Sequence, residues 1–242
     1  MPLVEIGAMK LRLLVALTLA LVLLAAGAAR ADPTYATNSY GGCFSSQQIE
    51  CTWSANASTS GSAVLEAALR SPGETLPGSG FGVSIVEFEA AAEHTGEPAR
   101  DVPLDVTIHV EKAEVVHSGA LHTLLGPAGD SDLPSGVEIG AAVDVAGCQS
   151  CAVVQYCAPS EGCDLEGLDA PVVRLAGAPS AIEDTDVTFH LALYNNNEPF
   201  PAGPFTLRIA LVAFVQLSRG GLPDNGTVRA SFDGAITSVS IG

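Results

Sequence analysis

Residues 205–217 read FTLRIALVAFVQL. Phe205, Leu207, Ile209, Leu211, Ala213, Val215 and Leu217 fall on one face, since side chains two apart share a side of a strand. The other face carries Thr206 and Arg208, then turns apolar at Ala210, Val212 and Phe214. A helix would repeat its apolar positions every three to four residues, and this run does not. It predicts a strand central in its sheet and covered on both sides for part of its length.

Outward from this run the period of two recurs. Val106, Ile108 and Val110 alternate with Thr107, His109 and Glu111. Val137, Ile139, Ala141, Val143 and Val145 alternate with Glu138, Gly140, Ala142 and Asp144. Val187, Phe189, Leu191 and Leu193 alternate with Thr188, His190, Ala192 and Tyr194. A ragged example runs through Val83, Ile85 and Phe88, and 152–156 is also strand-like. Asp224-Asn225-Gly226 leads into a strand at 227–232, and Asp233-Gly234 predicts a two-residue hairpin into 235–241. The segment 63–70, AVLEAALR, is the one helix candidate, and it is short. About ten strands separated by turns predict an all-β chain: a single β-sandwich or jelly-roll domain with disulfide-stapled loops. The stretch 126–136 reads as a loop inside that domain rather than a boundary.

The chain has 242 residues, with 27 acidic side chains against 10 basic ones. Lys10 and Arg12 precede an apolar run from 13 to 26, and Ala29-Arg30-Ala31 follows. A basic start, a short apolar core and a small-x-small site predict a secretory signal peptide over 1–31, with either Met1 or Met9 as the start. Cleavage near Ala31 removes Glu5 and the bases Lys10, Arg12 and Arg30, leaving 26 acids against 7 bases over 32–242. The expected product is a secreted, acidic protein, extracellular or periplasmic. So few scattered bases exclude nucleic acid as a partner, because phosphate binding needs clustered cations. No second apolar stretch approaches the ~20 residues of a spanning helix, so membrane insertion is not expected.

Six cysteines fall into two groups. Cys43 and Cys51 sit in the polar arm 32–60 and are expected to pair by locality. Cys148, Cys151, Cys157 and Cys163 lie in a Cys-rich loop, 147–164. Four clustered sulfurs in a reducing compartment would read as zinc ligands, whereas export and an even count favour disulfides. The loop allows three pairings, and the sequence does not choose among them. A redox reading of Cys148-Gln-Ser-Cys151 needs a helix start to lower a thiol pKa, and a strand-like segment follows instead.

One motif recurs. Asp105-Val-Thr-Ile-His109 is echoed by Asp186-Val-Thr-Phe-His190, without similar flanks. Either restricted strand composition or a duplicated half explains it. If the two strands pair or face each other, His109, His190 and Glu111 are candidates for a transition-metal site; otherwise the histidines are surface residues. Asp130 and Asp132 in the Gly/Pro loop, with Glu183, Asp184 and Asp186 before a strand, are candidate ligands for a structural calcium ion, the one cofactor expectation. Acidic turns kept for solubility account for the same residues. Two sequons, at Asn56 and Asn225, fit exposed loops.

No nucleophile elbow, zinc-protease helix, phosphate loop or dinucleotide fingerprint occurs. The chain therefore reads as a non-enzyme, with no catalytic residue assigned and an extracellular hydrolase as the least favoured option. The leading expectation is a secreted structural or surface-assembly protein, self-assembling or joined to another extracellular protein. A free N-terminal arm, 32–40, would add a strand to a neighbouring sheet. The alternative is a ligand-binding module, calcium-dependent and carbohydrate-directed, using Tyr35, Tyr40 and Trp53 near one end to hold a glycan.

Overall fold

The computed structural model describes residues 34–45, 49–70, 80–118, 135–155, 170–174, 180–196, 198–217 and 226–242, all within the unit Thr34–Gly242. The signal-peptide expectation, Asp130, Asp132, Cys157, Cys163, Asn225 and most of the 126–136 loop lie outside them.

The described residues form strands and no helix. In chain order they are β1 Ala36–Ser45, β2 Glu50–Ala57, β3 Ser62–Arg70, β4 Gly80–His94, β5 Asp101–Ser118 and β6 Gly136–Asp144. Then follow β7 Cys151–Gln155, β8 Ala170–Arg174, β9 Ser180–Asn195, β10 Gly203–Leu217 and β11 Thr227–Ile241. Two antiparallel sheets pack face to face. The first has the order β1-β4-β10-β6-β8, the second β2-β3-β11-β5-β9-β7. The protein is an all-β sandwich, as the alternating pattern predicts.

Strand β10 holds the run 205–217 and is the middle strand of the first sheet. Its odd-numbered side chains from Phe205 to Val215 are buried in the core. Its even-numbered apolar side chains, Ala210, Val212 and Phe214, are half-buried on the outer face. Opposite β10 across the core, the second sheet contributes Leu65, Leu69, Leu104, Ile108, Leu191, Leu193 and Phe232, all essentially inaccessible to solvent.

Three expectations are corrected. The helix candidate 63–70 is strand β3, with Ala63, Leu65, Ala67 and Leu69 buried and Val64 and Arg70 exposed. Ala, Leu, Glu and Arg favour a helix locally, but β2 and β11 pair with this segment on both sides, and tertiary pairing overrides propensity. Asp233-Gly234 is not a hairpin turn either. β11 runs straight through it, paired with β3 on one side and β5 on the other. A β-bulge falls there: Asp233 pairs with Lys112 and Gly234 with Val110, which leaves Glu111 as the extra residue. A Cβ on Gly234 would stand 2.4 Å from the His109 carbonyl oxygen, so glycine serves close backbone approach rather than a turn. The arm expected to be free is also engaged, since Ala36–Ser45 pairs with β4 throughout.

The bulge shifts the alternation of β5. Val110 and Ala113 are both buried, so Glu111 and Lys112 both face solvent. This concentrates charge on the outer face of the second sheet.

Candidate functional site

The outer faces of the two sheets differ in chemistry. On the second sheet, the echoed motifs lie antiparallel on each other. Asp105 pairs with His190, Thr107 with Thr188, and His109 with Asp186. Because D-x-T-x-H reads reciprocally against itself, the result is two Asp–His hydrogen bonds flanking a Thr–Thr bond. His109 Nδ1 is 2.8 Å from Asp186 Oδ1, His190 Nδ1 is 2.8 Å from Asp105 Oδ1, and the threonine hydroxyls are 3.0 Å apart. Beyond the bulge, Lys112 bridges Glu114 at 3.0 Å and Glu183 at 3.8 Å, while Arg229 bonds Glu114 and approaches Glu66. This face is a solvated, self-satisfied polar surface.

Each echoed histidine thus bonds the aspartate of the other motif. Glu183, Asp184 and Asp186 stand at the start of β9, with Asp184 in the left-handed region at φ 46°. Among the described residues no group of three or more His, Cys, Asp or Glu side chains is arranged to hold a metal ion.

The hydrogen bond to Asp186, with the charges of Asp186, Glu111 and Asp184, raises the His109 pKa above its ordinary 6.5, against a smaller opposing effect of desolvation. A raised folded-state pKa stabilises the fold fully below about pH 6.5, and that contribution is lost as pH rises through the folded value. The native protein is accordingly expected to lose more thermal stability between mildly acidic and mildly alkaline pH than a His109→Gln variant. Superimposable pH dependences of the two melting curves would rule this out.

The outer face of the first sheet is apolar toward one end. On β1, Ala36, Asn38, Tyr40, Gly42 and Phe44 stand opposite Glu89, Glu87, Ile85, Val83 and Phe81 of β4. On β10, Phe214, Val212, Ala210 and Arg208 stand opposite Val83, Ile85, Glu87 and Glu89. Phe44, Phe81, Val83, Ile85, Val212, Phe214 and Tyr40 thus share one surface, with Asn38, Glu87, Glu89 and Arg208 continuing it along the strands. Phe44 is 71% exposed, Tyr40 40% and Phe81 39%. Strand spacings of ~4.8 Å and ~3.3 Å per residue give the apolar part an extent on the order of 300 Å². Patches of this size on soluble proteins are often functional. The Tyr40 hydroxyl donates to Glu87 Oε1 at 2.7 Å, and that bond, with burial and the carboxylate's charge, raises the phenol's pKa. Arg208 Nε donates to Glu89 Oε2 at 3.0 Å.

The three aromatics expected to hold a ligand are not brought together. Tyr35 is 2% exposed, with its ring edge-on to Phe88 at 5.4 Å; it belongs to the core. Trp53 lies at the edge of the sandwich, where β1 of the first sheet meets β2 of the second. A Cβ on Gly41 would fall 2.4 Å from the indole, so the ring lies directly on that glycine's backbone. The Cys43–Cys51 disulfide closes the same edge, with Cα atoms 5.8 Å apart, joining the two sheets as the locality argument predicts. Of the three, Tyr40 alone reaches the outer face. Phe44 and Phe81 were not among the sequence-based candidates. Phe44 shares Tyr40's parity, and Phe81 that of Val83 and Ile85, a signal that becomes readable only when β1 and β4 are known to pair.

At the other end of β4, two clefts of about 370 and 320 Å³ share Asn195, Glu198 and Pro199. One is walled by Arg100, whose guanidinium lies 5.8 Å from the Tyr194 ring centre. The other is lined by the turn that the Cys148–Cys151 disulfide closes. That bond fixes the partner of Cys148 and Cys151 within the Cys-rich loop.

Fold and site together define a disulfide-stapled, two-sheet β-sandwich with one polar and one aromatic outer face. No family model and no curated protein matches the chain. Among solved structures it is similar to a carbohydrate-binding module that recognises mannan, TmCBM27. That match has 13% identity and a TM-score of 0.22, covering 83% of this chain and 90% of that one. Promiscuous carbohydrate-binding modules of the β-sandwich superfamily match at 13% identity and a TM-score of 0.21, over 82% and 56% of the chains. The family 11 module of the Clostridium thermocellum cellulase Lic26A-Cel5E matches at 6% and 0.19, over 81% and 88%. At these values the likeness carries no argument about function.

Proposed function

We propose that the chain is an exported, non-catalytic module that binds a glycan on the outer face of the first sheet. The observation that carries this reading is the set of exposed aromatics Tyr40, Phe44 and Phe81 on one surface, beside Asn38 and Glu87. Aromatic rings accept the C–H face of a sugar ring as they accept other apolar surface, while carboxylate and amide groups take the hydroxyls at its rim. The two disulfides support export to an oxidising compartment. Among the described residues no helix is long and apolar enough to cross a membrane.

Glycan-array binding of the purified chain tests the reading. Phe44→Ala is expected to weaken binding at least about tenfold, the scale of losing one well-packed aromatic contact. His190→Ala, on the opposite outer face, should leave it unchanged. An array without specific signal, or equal loss from both variants, would overturn the assignment.

The assembly reading draws on the same surface, because Val83, Ile85, Val212 and Phe214 form apolar rows that a second sheet could cover. It does not use the N-terminal arm, which β4 already pairs. Sedimentation over a wide concentration range separates the two, since a monomer throughout excludes self-assembly through this face.

A further inference from the structure

Resting on the glycan reading, we infer that the ligand is the flat, uncharged surface of an insoluble β-1,4-linked polysaccharide built from all-equatorial sugars, as in cellulose or chitin. Shape is the first argument. The aromatic surface spans three neighbouring strands of one sheet, β1, β4 and β10, and Tyr40, Phe44 and Phe81 line neither of the two described clefts. Two clefts among the described residues lie at the other end of β4, beside Arg100, Asn195 and Glu198. A single soluble chain inserted in a groove has its counterpart there, and not among Tyr40, Phe44 and Phe81.

Charge is the second argument. Among the described side chains of β1, β4 and β10 the one cation is Arg208, which is paired with Glu89, while Glu87 accepts the Tyr40 hydroxyl, so these three strands offer an anionic polymer no unpaired charge. The whole chain carries a formal charge of −17, which repels such a polymer before contact. A cationic polymer would be drawn to the acidic surface generally, without using the aromatic rows.

Stereochemistry is the third. When every ring substituent is equatorial, both faces of the sugar present only axial C–H groups, and β-1,4 linkage keeps successive rings in a flat ribbon. An axial hydroxyl interrupts one face, and α-1,4 linkage curls the chain away from a plane. Tyr40 and Phe44 are four residues apart on β1, about 13 Å, so they meet different sugar rings. Phe81 and the Val83–Phe214 row lie on neighbouring strands and meet chains lying side by side. A surface of parallel chains engages these rows at once, and each added contact is intramolecular after the first.

The full exported chain is mixed with microcrystalline cellulose, chitin, insoluble mannan and starch granules, and the unbound fraction is measured after sedimentation. Soluble cello- and chito-oligosaccharides are titrated by calorimetry in parallel. Depletion by cellulose or chitin that survives high salt, falls at least about tenfold in Phe44→Ala and Phe81→Ala, and has no soluble counterpart is expected. Phe44 is largely exposed, so its truncation leaves the fold intact, and unchanged Trp53 fluorescence verifies this. Binding of soluble oligosaccharides that Phe44→Ala abolishes would overturn the flat-surface inference while keeping the glycan reading. Preference for mannan or starch would overturn the all-equatorial assignment alone. Binding to no carbohydrate, or self-association that Phe44→Ala abolishes, would overturn both.

Discussion

Phe88→Ala is expected to lower the unfolding free energy by about 3–5 kcal/mol, the range for truncating a fully buried phenylalanine. Phe88 is entirely inaccessible to solvent in the middle of β4, paired with Ile209 of β10 and Thr37 of β1. Its ring meets Tyr35 edge-on, so truncation also strips the packing that pins the chain just before β1. The cost falls at the high end where surroundings cannot collapse, and two continuous ladders flanking β4 hold its backbone in place. Urea denaturation of both proteins measures the difference. A loss under about 1 kcal/mol would show that the site relaxes and that the β4 core is less tightly held than its burial implies.

Replacing Cys43 and Cys51 together by alanine is expected to cost about 2.5 kcal/mol, the loop-closure contribution of a disulfide spanning eight positions. This link differs in kind from Cys148–Cys151. It ties an edge strand of the first sheet to an edge strand of the second, beside Trp53 seated on Gly41. Cys148–Cys151 closes a three-residue step within one loop, next to the 145–148 turn that the Cys148 N–H bond to the Val145 carbonyl holds at 3.0 Å. Because Tyr40 and Phe44 ride on β1, the Cys43→Ala/Cys51→Ala variant should also bind carbohydrate more weakly at temperatures where it is still folded. Melting and binding measured on the same preparation check both effects. Undiminished stability would mean that the ten residue pairs of the β1–β4 ladder suffice without the disulfide.

Where the sequence was misread, local chemistry competed with pairing. AVLEAALR has the composition of a helix, and its Leu65 and Leu69 are four apart, which suits a helix face and a strand face equally. Only the neighbours β2 and β11 resolve it. Asp-Gly favours a tight turn, yet at 233–234 the same lack of a side chain lets β11 approach the His109 carbonyl across a bulge. Tyr35 and Tyr40 are five positions apart, and one is core while the other is surface. Composition treats them alike; the parity of β1 and the depth of the residue preceding it do not.

The alternation from 205 to 217 by itself determined a strand with an inward face that needs no knowledge of its partners, because pleating is local, and its recurrence along the chain determined the all-β class. The cysteine count and the balance of 27 acidic against 10 basic side chains likewise pointed to a stapled, acidic chain. Which residues meet was decided by tertiary structure alone. The two D-x-T-x-H motifs become reciprocal Asp–His pairs because β5 and β9 lie antiparallel in one register. Phe44 and Phe81 form one aromatic surface because β1 crosses to β4 in the other sheet from β2, some eight residues away. Strand order and register are set by burial summed over residues distant in the chain, and a period of two is the same for every order in which the strands could be laid side by side.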